Sequence, residues 1–339
     1  MKLFYECNLF NEKIDNLSNF SFTQNELEFK KTKNTKLYFS KNKVSYKVTS
    51  DISNLKKNKD CLIIPVRDNI ELLNFTLDNL KKFKILNNFN VIVVDDRSTI
   101  DLSSLVKNFK CCYVRVDYEK TFNFSMLNNI AAYICHKNKI ENIILWNSDL
   151  WCHDEKTLTD LIDLHKKEES TISGTKLLYP EETNKHFDIT ENIKTYFPHK
   201  YFSFKGKVQF GNGEYVYSQG DLNPRHVKRF YNRDNYFVNS DCPSRFITGA
   251  FQIINLEWFI NTGGLNPSLS KNYQDSDLCL KAIDEGKKVF YFGKDRHFYH
   301  GESVSFLKDK KNEDLHKDHL LFNKIWDLNT KFTLLFGDK

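Results

Sequence analysis

Residues 61–66 read CLIIPV, and residues 91–99 read VIVVDDRST. Each stretch holds a short apolar run without polar alternation, and each run is followed by polar or charged residues. Such runs are typical of strands that are buried on both faces of a parallel sheet. Between them, residues 72–83 carry leucines at helical spacing on one face. Together these segments predict a β-α-β unit, the building block of an α/β fold.

The alternation of strand and helix continues along most of the chain. Further strands are predicted at 111–116, 142–146, 171–178, 245–254 and 288–292, and further helices at 124–135, 256–261, 275–286 and 312–327. This order predicts a Rossmann-like α/β fold with a mostly parallel sheet.

The rhythm of strand and helix is absent from some parts of the chain, which suggests a division into domains. We predict a β-rich N-terminal extension at 1–58, a main domain at 59–304 and a C-terminal helix at 305–339. Within the main domain, an aromatic-rich insertion at 179–244 separates a first half, 59–178, from a second half, 245–304. Four glycines divide this insertion into short segments, which predicts hairpins lying over the sheet. The insertion either forms a binding groove or is a hydrophobic covering layer.

Composition excludes several classes of protein. The chain has 339 residues, of which 40% are hydrophobic and 28% charged, with 12 Gly and 6 Pro. These values exclude collagen-like, low-complexity and wholly disordered chains. No apolar run approaches the roughly 18 residues of a membrane span, so we expect a soluble, cytoplasmic protein. The 8 cysteines show no C-x-x-C spacing, which argues against a disulfide framework or a zinc cluster.

The net charge of +6 comes mainly from dispersed lysines, since only 8 of the 50 basic residues are Arg. Proteins that read nucleic acid concentrate Arg and Lys on one face, so we expect no nucleic-acid partner. One local excess lies between Glu28 and Asp60, which holds ten Lys. It is either a solvated face or a peripheral contact with an anionic membrane, at its inner face, or with an anionic glycan.

Three predicted strand ends carry polar groups, at residues 65–68, 95–98 and 147–149. In open parallel sheets, ligands bind at the carboxyl ends of the strands. The glycine-rich loops G-x-G-x-x-G and G-x-x-x-x-G-K-[ST], which cradle phosphates, are absent from the sequence. A diphosphate bound here would therefore need a divalent metal ion to neutralise its charge.

The order of these motifs resembles that of the GT-A fold inverting glycosyltransferases. The resemblance is to family 2, near the bacterial capsule and lipopolysaccharide transferases and the enzymes of the β-1,4-galactosyltransferase and chondroitin-polymerase type. It runs from Cys61 to Ser303 and rests on Ile63–Arg67, Val93–Thr99, Ile144–Asp149, Thr248–Phe251, Gly263–Pro267 and Asp275–Leu280. The stretch Phe122–Ser125 and an H-x-x-H at His297 and His300 also match that branch.

The resemblance implies a set of nucleotide-binding residues. These are Pro65 and Arg67 in the base pocket, Asp95 and Asp96 after the second strand, and Asn147 and Ser148 in a D-x-D-like motif. Asp96 would accept the imide N–H of uracil, as a carboxylate can. The alternative for the two aspartates is a strand-end turn. Asn replaces the first Asp of the family motif, so Asn147 can bond a ribose hydroxyl but adds no charge.

The resemblance also implies a metal site. Asp149 matches the last Asp of the family motif, and His300 lies where the family places a remaining ligand. His297 is either a second histidine ligand or a core or supporting residue. An Asp with one or two His around a divalent ion suits Mn²⁺ or Mg²⁺. The alternative for Asp149 is that it only caps the segment that follows.

Asp275 matches the catalytic base of the inverting families, at the predicted start of the 275–286 helix. Its alternative is an N-cap of that helix. Gln274 stands where relatives often carry Glu, and it would contact the acceptor. Trp151 and Tyr273 would be platforms for a sugar, whereas Trp146 and Trp258 are expected in the core.

The activity implied by the resemblance is metal-dependent, inverting transfer of a hexose or N-acetylhexosamine. A UDP-sugar would be the donor, and a glycan or glycolipid of a bacterial surface polysaccharide the acceptor. The alternatives are a non-catalytic module that binds nucleotide or glycan, kept open by Asn147 and Gln274, and a nucleotidyltransferase. The latter needs paired carboxylates for two metals, so Asn147 argues against it.

Overall fold

A computed structural model of the chain describes residues 7–31, 37–181, 204–301 and 313–326. Parts of the predicted N-terminal extension, of the aromatic insertion and of the C-terminal segment lie outside the described residues. Within them, the expected α/β class is confirmed, because helices pack on a large central sheet of 12 strands.

The strands are β1 (Asn19–Lys31), β2 (Leu37–Asp51), β3 (Cys61–Val66), β4 (Asn90–Asp95), β5 (Cys112–Asp117), β6 (Asn142–Trp146), β7 (Leu150–Trp151), β8 (Ile172–Leu178), β9 (Val208–Phe210), β10 (Gly213–Ser218), β11 (Asp221–His226), β12 (Asp241–Pro243), β13 (Phe251–Asn255) and β14 (Val289–His300). The helices are α1 (Ile70–Lys82), α2 (Ile85–Asn88), α3 (Ser103–Asn108), α4 (Phe124–Lys137), α5 (Thr157–Lys167), α6 (Leu256–Asn261), α7 (Gln274–Asp284) and α8 (Glu313–Ile325). A short 3₁₀ helix spans Asn8–Asn11.

The main path through the sheet runs β1-β2-β5-β4-β3-β6-β13-β8-β14-β12. Strands β5, β4, β3 and β6 are parallel neighbours, whereas β13 lies antiparallel to both β6 and β8. Every residue of β3, β4 and β6 is buried, as their apolar runs predict. The carboxyl ends of β3, β4 and β6 therefore open on one edge of the sheet, where their polar residues gather.

The N-terminal extension is part of the central sheet. Strands β1 and β2 form one long antiparallel hairpin, and β2 pairs antiparallel with β5 from Lys47 opposite Asp117 to Asp51 opposite Tyr113. Tyr46 and Val48 of β2 are buried in the main core. The short strands expected in an appended element are thus a continuation of the sheet edge.

The described part of the aromatic insertion contains the expected hairpin, formed by β10 and β11. However, β9 pairs with β8 and β12 pairs with β14, so part of the insertion extends the sheet. The predicted strand 245–254 starts only at Phe251, because a turn closed by Phe251 N–H and the Thr248 carbonyl precedes it. The last strand continues through an irregularity between Phe292 and His297 to His300.

The core matches several simpler expectations. Trp146 and Trp258 are buried, and all eight cysteines are free, with only Cys242 partly exposed. Among the described residues, none of the helices has the length and apolar character needed to cross a bilayer.

Candidate functional site

The turns that follow β3 and β4 are fastened to one another. Asp96 N–H donates to the Val66 carbonyl at 2.9 Å, and Asp68 N–H donates to Ser98 Oγ at 2.9 Å. Asp68 and Arg97 both adopt positive φ, +53° and +48°, a conformation that such side chains hold only when the surroundings fix it. The first two predicted strand ends therefore form one rigid surface.

Asp95 organises this surface from inside. Its Oδ1 accepts from Ser98 N–H at 2.8 Å, and its Oδ2 accepts from Tyr113 hydroxyl at 2.5 Å and Arg115 Nη1 at 3.1 Å. Both oxygens of this buried carboxylate are thus engaged by the protein. These contacts favour the alternative for Asp95, a strand-end turn, and its contact with a nucleotide stays a prediction.

Asp96 differs from Asp95 because one of its oxygens is left over. Oδ1 accepts from Arg97 Nε at 3.1 Å, while Oδ2 lies 3.6 Å from Arg67 Nη1 and has no hydrogen-bond partner among the described residues. Burial raises the pKa of the Asp96 carboxyl, although Arg97 and Arg67 oppose this. A buried acceptor without a donor is costly, so a ligand N–H at this oxygen would relieve the cost.

The neighbours of Asp96 form the wall on which a base could lie. Arg67 is exposed, whereas Pro65 is buried within β3. The Arg97 guanidinium lies 4.2 Å from the centroid of the Tyr118 ring and donates to the Tyr118 carbonyl. Sequence reasoning missed Tyr118, because it follows β5 with no motif to mark it.

The third strand end, after β6, is held by contacts from three directions. Asn147 N–H donates to the Ala250 carbonyl at 3.1 Å, Thr76 hydroxyl to the Ser148 carbonyl at 2.5 Å, and Gly301 N–H to the Asp149 carbonyl at 2.9 Å. On the side of this turn, these bonds use backbone groups only. They leave the side chains of Asn147 and Asp149 for other contacts.

Those two side chains meet His300 at the end of β14. His300 Nε2 lies 3.3 Å from Asp149 Oδ1 and 3.2 Å from Asn147 Nδ2. Asp149 and His300 are both buried. The predicted pair of metal ligands is therefore brought together, with Asn147 beside it.

Gln209 of β9 orients the His300 ring. Gln209 Nε2 donates to the His300 carbonyl at 3.2 Å, so the amide oxygen faces the ring, where Oε1 lies 2.6 Å from Nδ1. An oxygen acceptor at that position requires Nδ1 to carry the hydrogen, which leaves the lone pair of neutral histidine on Nε2. This is the tautomer that can bind a metal on the side of Asp149.

The spacing of these atoms fits two ligands of one divalent ion. Adjacent octahedral ligands at about 2.1 Å from Mg²⁺ or Mn²⁺ lie about 3 Å apart, close to the 3.3 Å between Asp149 Oδ1 and His300 Nε2. In the part of the chain that the structure describes, no group of three or more His, Cys, Asp or Glu could hold a metal. Asp149 and His300 would therefore supply two of the ligands.

His297 does not join this pair. Side chains three residues apart on a strand point to opposite faces, so His297 and His300 diverge. His297 stacks on His153 with ring centroids 3.8 Å apart, and burial with nearby His153, Lys176 and Arg233 lowers its pKa to about 2. The interpretation of His297 as a metal ligand is corrected to its alternative, a supporting residue of the interior.

Trp151 is also corrected. It is fully buried against Leu72 and Phe75, and its Nε1 donates to Thr76 Oγ1 at 3.0 Å. A ring without exposed surface cannot form a platform for a sugar. Its hydrogen bond instead holds Thr76, the residue that bonds the Ser148 carbonyl.

Asp275 lies in the first turn of α7 and is partly exposed. Its Oδ2 accepts from Gly249 N–H at 2.7 Å, and its Oδ1 accepts from Ser276 N–H at 2.7 Å. Burial raises the pKa of the carboxyl, and these backbone donors oppose the rise. The helix begins at Gln274 with Tyr273 as its N-cap, so the alternative interpretation of Asp275 as N-cap is wrong.

Gly249 connects Asp275 to the turn that carries Asp149. A Cβ on Gly249 would lie 3.1 Å from Asp275 Cβ and 3.3 Å from Asp275 Oδ2, so only glycine permits this approach without displacement. The next residue, Ala250, accepts the hydrogen bond from Asn147. Two consecutive residues therefore join Asp275 to the turn that carries Asp149.

The remaining predicted acceptor residues, Gln274 and Tyr273, directly precede Asp275 in the chain. Gln274 is buried, and its Oε1 has no hydrogen-bond partner among the described residues. Tyr273 is partly exposed, with one face stacked on Phe322 at 4.9 Å between ring centroids. Only the other face of Tyr273 could meet a sugar.

Comparison with known proteins finds a family match over part of the chain. Residues 61–220, just under half of the chain, match the family described as "Glycosyl transferase family 2". With the sheet order given above, this match confirms the expected GT-A fold.

Two curated proteins are similar to most of this chain. An uncharacterized protein, y4gI, of Sinorhizobium fredii is 25% identical over 249 residues, covering 72% of this chain and 24% of that protein. The O-antigen biosynthesis protein RfbC of Myxococcus xanthus is 23% identical over 254 residues, covering 74% of this chain and 18% of that protein. The chain thus spans a quarter or less of the length of these relatives.

Solved structures that this chain matches include S. aureus TarS in complex with UDP-GlcNAc, with a TM-score of 0.43 and 16% identity over 82% of this chain and 76% of that one. Another is the mannosyltransferase PcManGT from Pyrobaculum calidifontis in complex with GDP-Man and Mn²⁺. It has a TM-score of 0.44 and 12% identity over 78% of this chain and 69% of that one.

Proposed function

Taking residues 61–220 as the glycosyl transferase family 2 domain that they match, we propose that this protein is a metal-dependent, inverting glycosyltransferase. It moves a hexose or N-acetylhexosamine from a UDP-sugar to a glycan or glycolipid acceptor. The name of one relative, an O-antigen biosynthesis protein, supports a role in bacterial surface polysaccharide synthesis.

The donor base would bind at the turns after β3 and β4. Asp96 Oδ2 is a buried acceptor in need of a donor, and the imide N–H of uracil is such a donor. Arg67, 3.6 Å from this oxygen and exposed, would cover the base. Cytosine lacks this N–H, so the oxygen favours uracil over cytosine.

Asp149 and His300 would hold the divalent ion, Mn²⁺ or Mg²⁺, with Asn147 beside them for a ribose hydroxyl. When bound there, the ion supplies positive charge beside the diphosphate that leaves. In the neutral ring of His300, the hydrogen bond from Nδ1 to Gln209 Oε1 leaves the lone pair on Nε2, which lies on the side of Asp149. These residues thus orient the donor without needing a glycine-rich phosphate loop.

Asp275 would be the general base. Its Oδ2 accepts one backbone N–H, from Gly249, and keeps a second lone pair for an acceptor hydroxyl, whereas its Oδ1 accepts from both the N–H and the hydroxyl of Ser276. The raised pKa of this carboxyl makes it a better base than an exposed aspartate. Removing the proton from the acceptor lets its oxygen attack the anomeric carbon from the face opposite the leaving nucleotide, which inverts the configuration.

A single observation carries this proposal: Gly249 and Ala250 link the carboxylate of Asp275 to the turn that carries Asp149, which contacts His300 of β14. The test measures UDP release from UDP-glucose, UDP-galactose and UDP-N-acetylglucosamine with Mn²⁺, with water in the place of the acceptor, so that its oxygen attacks the anomeric carbon as the bond to UDP breaks. We compare the parent protein with Asp275→Asn and with Asp160→Asn, a control on the exposed face of α5.

Loss of general-base help predicts a fall of about 10²–10⁴ in the rate for Asp275→Asn, with binding of UDP retained and the control unchanged. Equal rates in Asp275→Asn and the parent would contradict the assignment of the base. Binding of UDP without release from any donor would favour the non-catalytic module.

We also propose that the hairpin of β1 and β2 contacts an anionic membrane surface. Lys41 and Lys43 are exposed on β2, and their partners on β1 are the uncharged Leu27 and Asn25. Each lysine near an anionic surface contributes about 1 kcal/mol of attraction. Sedimentation with phosphatidylglycerol vesicles should fall in K41E/K43E and stay unchanged in K81E/K82E on α1. If the two variants sediment equally, Lys41 and Lys43 do not bind the membrane, and the interpretation as a solvated face holds.

A further inference from the structure

Helix α8 packs against the loop that precedes α7 and Asp275. Asp318 of α8 is fully buried, and its Oδ2 accepts from Lys271 N–H at 2.8 Å and from Asn272 N–H at 3.0 Å. Hydrogen bonds from backbone amides to a carboxylate are charge-assisted and shorter and stronger than neutral ones. One side chain of α8 therefore fixes two consecutive residues of this loop.

The same helix holds the next residue of the loop, Tyr273. Tyr273 has a φ of +65°, which a residue with a side chain adopts only when its surroundings enforce it. Its ring stacks on Phe322, and its hydroxyl lies 2.9 Å from His319 Nδ1. His319 Nε2 in turn lies 2.9 Å from Asp221 Oδ2 of β11. The direction in which α7 begins is thus set by contacts with α8.

A third contact lies beyond Asp275. Trp326, just after α8, donates from Nε1 to Asp277 Oδ1 at 2.8 Å, and Asp277 Oδ2 lies 3.2 Å from Lys281 Nζ. The base therefore sits between two points that α8 holds, the loop at 271–273 and Asp277. A carboxylate held from both sides has little freedom to move along or around the helix axis.

We propose that Asp318 is a positioning residue, which sets the location of Asp275 through the loop at 271–273. This inference rests on the proposed function, because it assumes that Asp275 is the base. It goes beyond that function by assigning the C-terminal helix, which lies outside the matched segment 61–220, a part in the reaction. Asp318 itself is covered by protein and touches no substrate.

The test uses three variants of α8 in the whole chain. Asp318→Ala removes the acceptor for the two amides, and Asp318→Asn keeps an acceptor oxygen but not the charge. Lys324→Ala is the control, because Lys324 is exposed on the same helix and lies against the Phe39 ring, 5.2 Å from its centroid. Leu321 and Phe322 are fully buried and remain to hold the helix in every variant.

Three quantities are measured: the Kd for UDP with Mn²⁺, the kcat for UDP release from the best UDP-sugar, and hydrogen exchange of amides 269–275. For Asp318→Ala we expect an unchanged Kd, faster exchange in the loop, and a kcat lower by about 10²-fold, the cost of misplacing a catalytic group by about 1 Å. For Asp318→Asn, which keeps an acceptor oxygen without the charge, we expect a kcat between those of Asp318→Ala and the parent, with an unchanged Kd and loop exchange faster than in the parent. Lys324→Ala should match the parent.

An unchanged kcat in Asp318→Ala, or a loss of UDP affinity as large as the loss of kcat, would overturn the positioning role. If Asp318→Ala fails to fold, Asp318→Asn decides: slower turnover with unchanged Kd supports the role, and parent-like turnover with parent-like loop exchange refutes it. A parent that releases no UDP from any donor contradicts the proposed function instead, and the exchange of 269–275 then still shows whether Asp318 holds the loop.

Discussion

Replacing Gln209 by Leu should weaken metal binding without touching either proposed ligand. Gln209 makes two hydrogen bonds with His300, at 2.6 Å to Nδ1 and 3.2 Å to the carbonyl. Leucine has a similar volume and can make neither bond. The His300 ring would then be free to rotate or to move its hydrogen to Nε2, and in both cases it ceases to offer a lone pair beside Asp149.

The size of the effect follows from the number of bonds lost. Two neutral hydrogen bonds contribute about 0.5–1.5 kcal/mol each, so about 1–3 kcal/mol of orientation is lost. This agrees with the 10–100-fold loss of affinity typical when the partner of a metal-bound histidine is removed. We therefore expect the Kd for Mn²⁺ in the presence of UDP to rise by about 10–100-fold.

The assay is a calorimetric titration of Mn²⁺ into protein that is saturated with UDP. The matched variant is Gln209→Glu, which keeps an oxygen acceptor for Nδ1 and should retain affinity near that of the parent. Equal Kd values for Mn²⁺ in Gln209→Leu and the parent would refute the reasoning. So would a loss in Gln209→Glu as large as that in Gln209→Leu.

Three other predictions concern Asp275, helix α8 and the buried Trp151. Gly249→Ala should lower turnover about tenfold with an unchanged Kd for UDP. The added Cβ would lie 3.1 Å from Asp275 Cβ and weaken the 2.7 Å hydrogen bond from Gly249 N–H to Asp275 Oδ2. Unchanged steady-state turnover would contradict this. Burial raises the pKa of the Asp318 carboxyl from 3.8 to about 6. Between about pH 4 and 6 the folded protein therefore keeps a proton that the unfolded chain releases, and the free energy of unfolding falls as the pH rises through this range. The free energy of unfolding in urea is measured at pH 4 and pH 7.5. From the lower to the higher pH, that of Asp318→Asn should rise by about 3 kcal/mol relative to that of the parent, and an equal dependence on pH in the two proteins would contradict the raised pKa. Trp151→Phe should lower the free energy of unfolding by about 1 kcal/mol through loss of the bond to Thr76, and a raised KM for acceptor at parent stability would instead restore the sugar-platform interpretation.

The sequence predicted the parts of the site that lie at strand ends. The apolar runs before Val66, Asp95 and Asn147 identify buried strands, and parallel strands bring their carboxyl ends to one edge of a sheet. Asp96, Asp149 and their neighbours could therefore be placed together before any coordinates were known. Their hydrogen bonds then separate Asp95, which holds a turn, from Asp96, which retains a free acceptor.

Residues that act across long sequence separations could not be predicted in this way. Gln209 lies 91 residues before His300, and Asp318 lies 47 residues after Lys271. Neither belongs to a periodic pattern or a recognisable motif. Their partners are fixed by sheet pairing and helix docking, which a local reading of sequence does not contain.

The two alternatives for His297 were left open for a local reason. The strand expected at 288–292 continues to His300, which places the H-x-x-H on a strand. The period of a strand is two residues, so positions three apart face opposite sides. A predicted strand that ran to His300 would have allowed only one of the two histidines to bind the metal.

The central claim is a nucleotide site that depends on a divalent metal at Asp149 and His300. It is tested most directly by calorimetric titration of UDP with and without Mn²⁺, into the parent protein and Asp149→Ala, with GDP, CMP and dTDP as competitors for specificity. We predict tight binding of UDP only with Mn²⁺, weaker binding of the other nucleotides, and loss of the Mn²⁺-dependent binding in Asp149→Ala. Failure of UDP to bind, or binding that needs neither Mn²⁺ nor Asp149, would contradict the account.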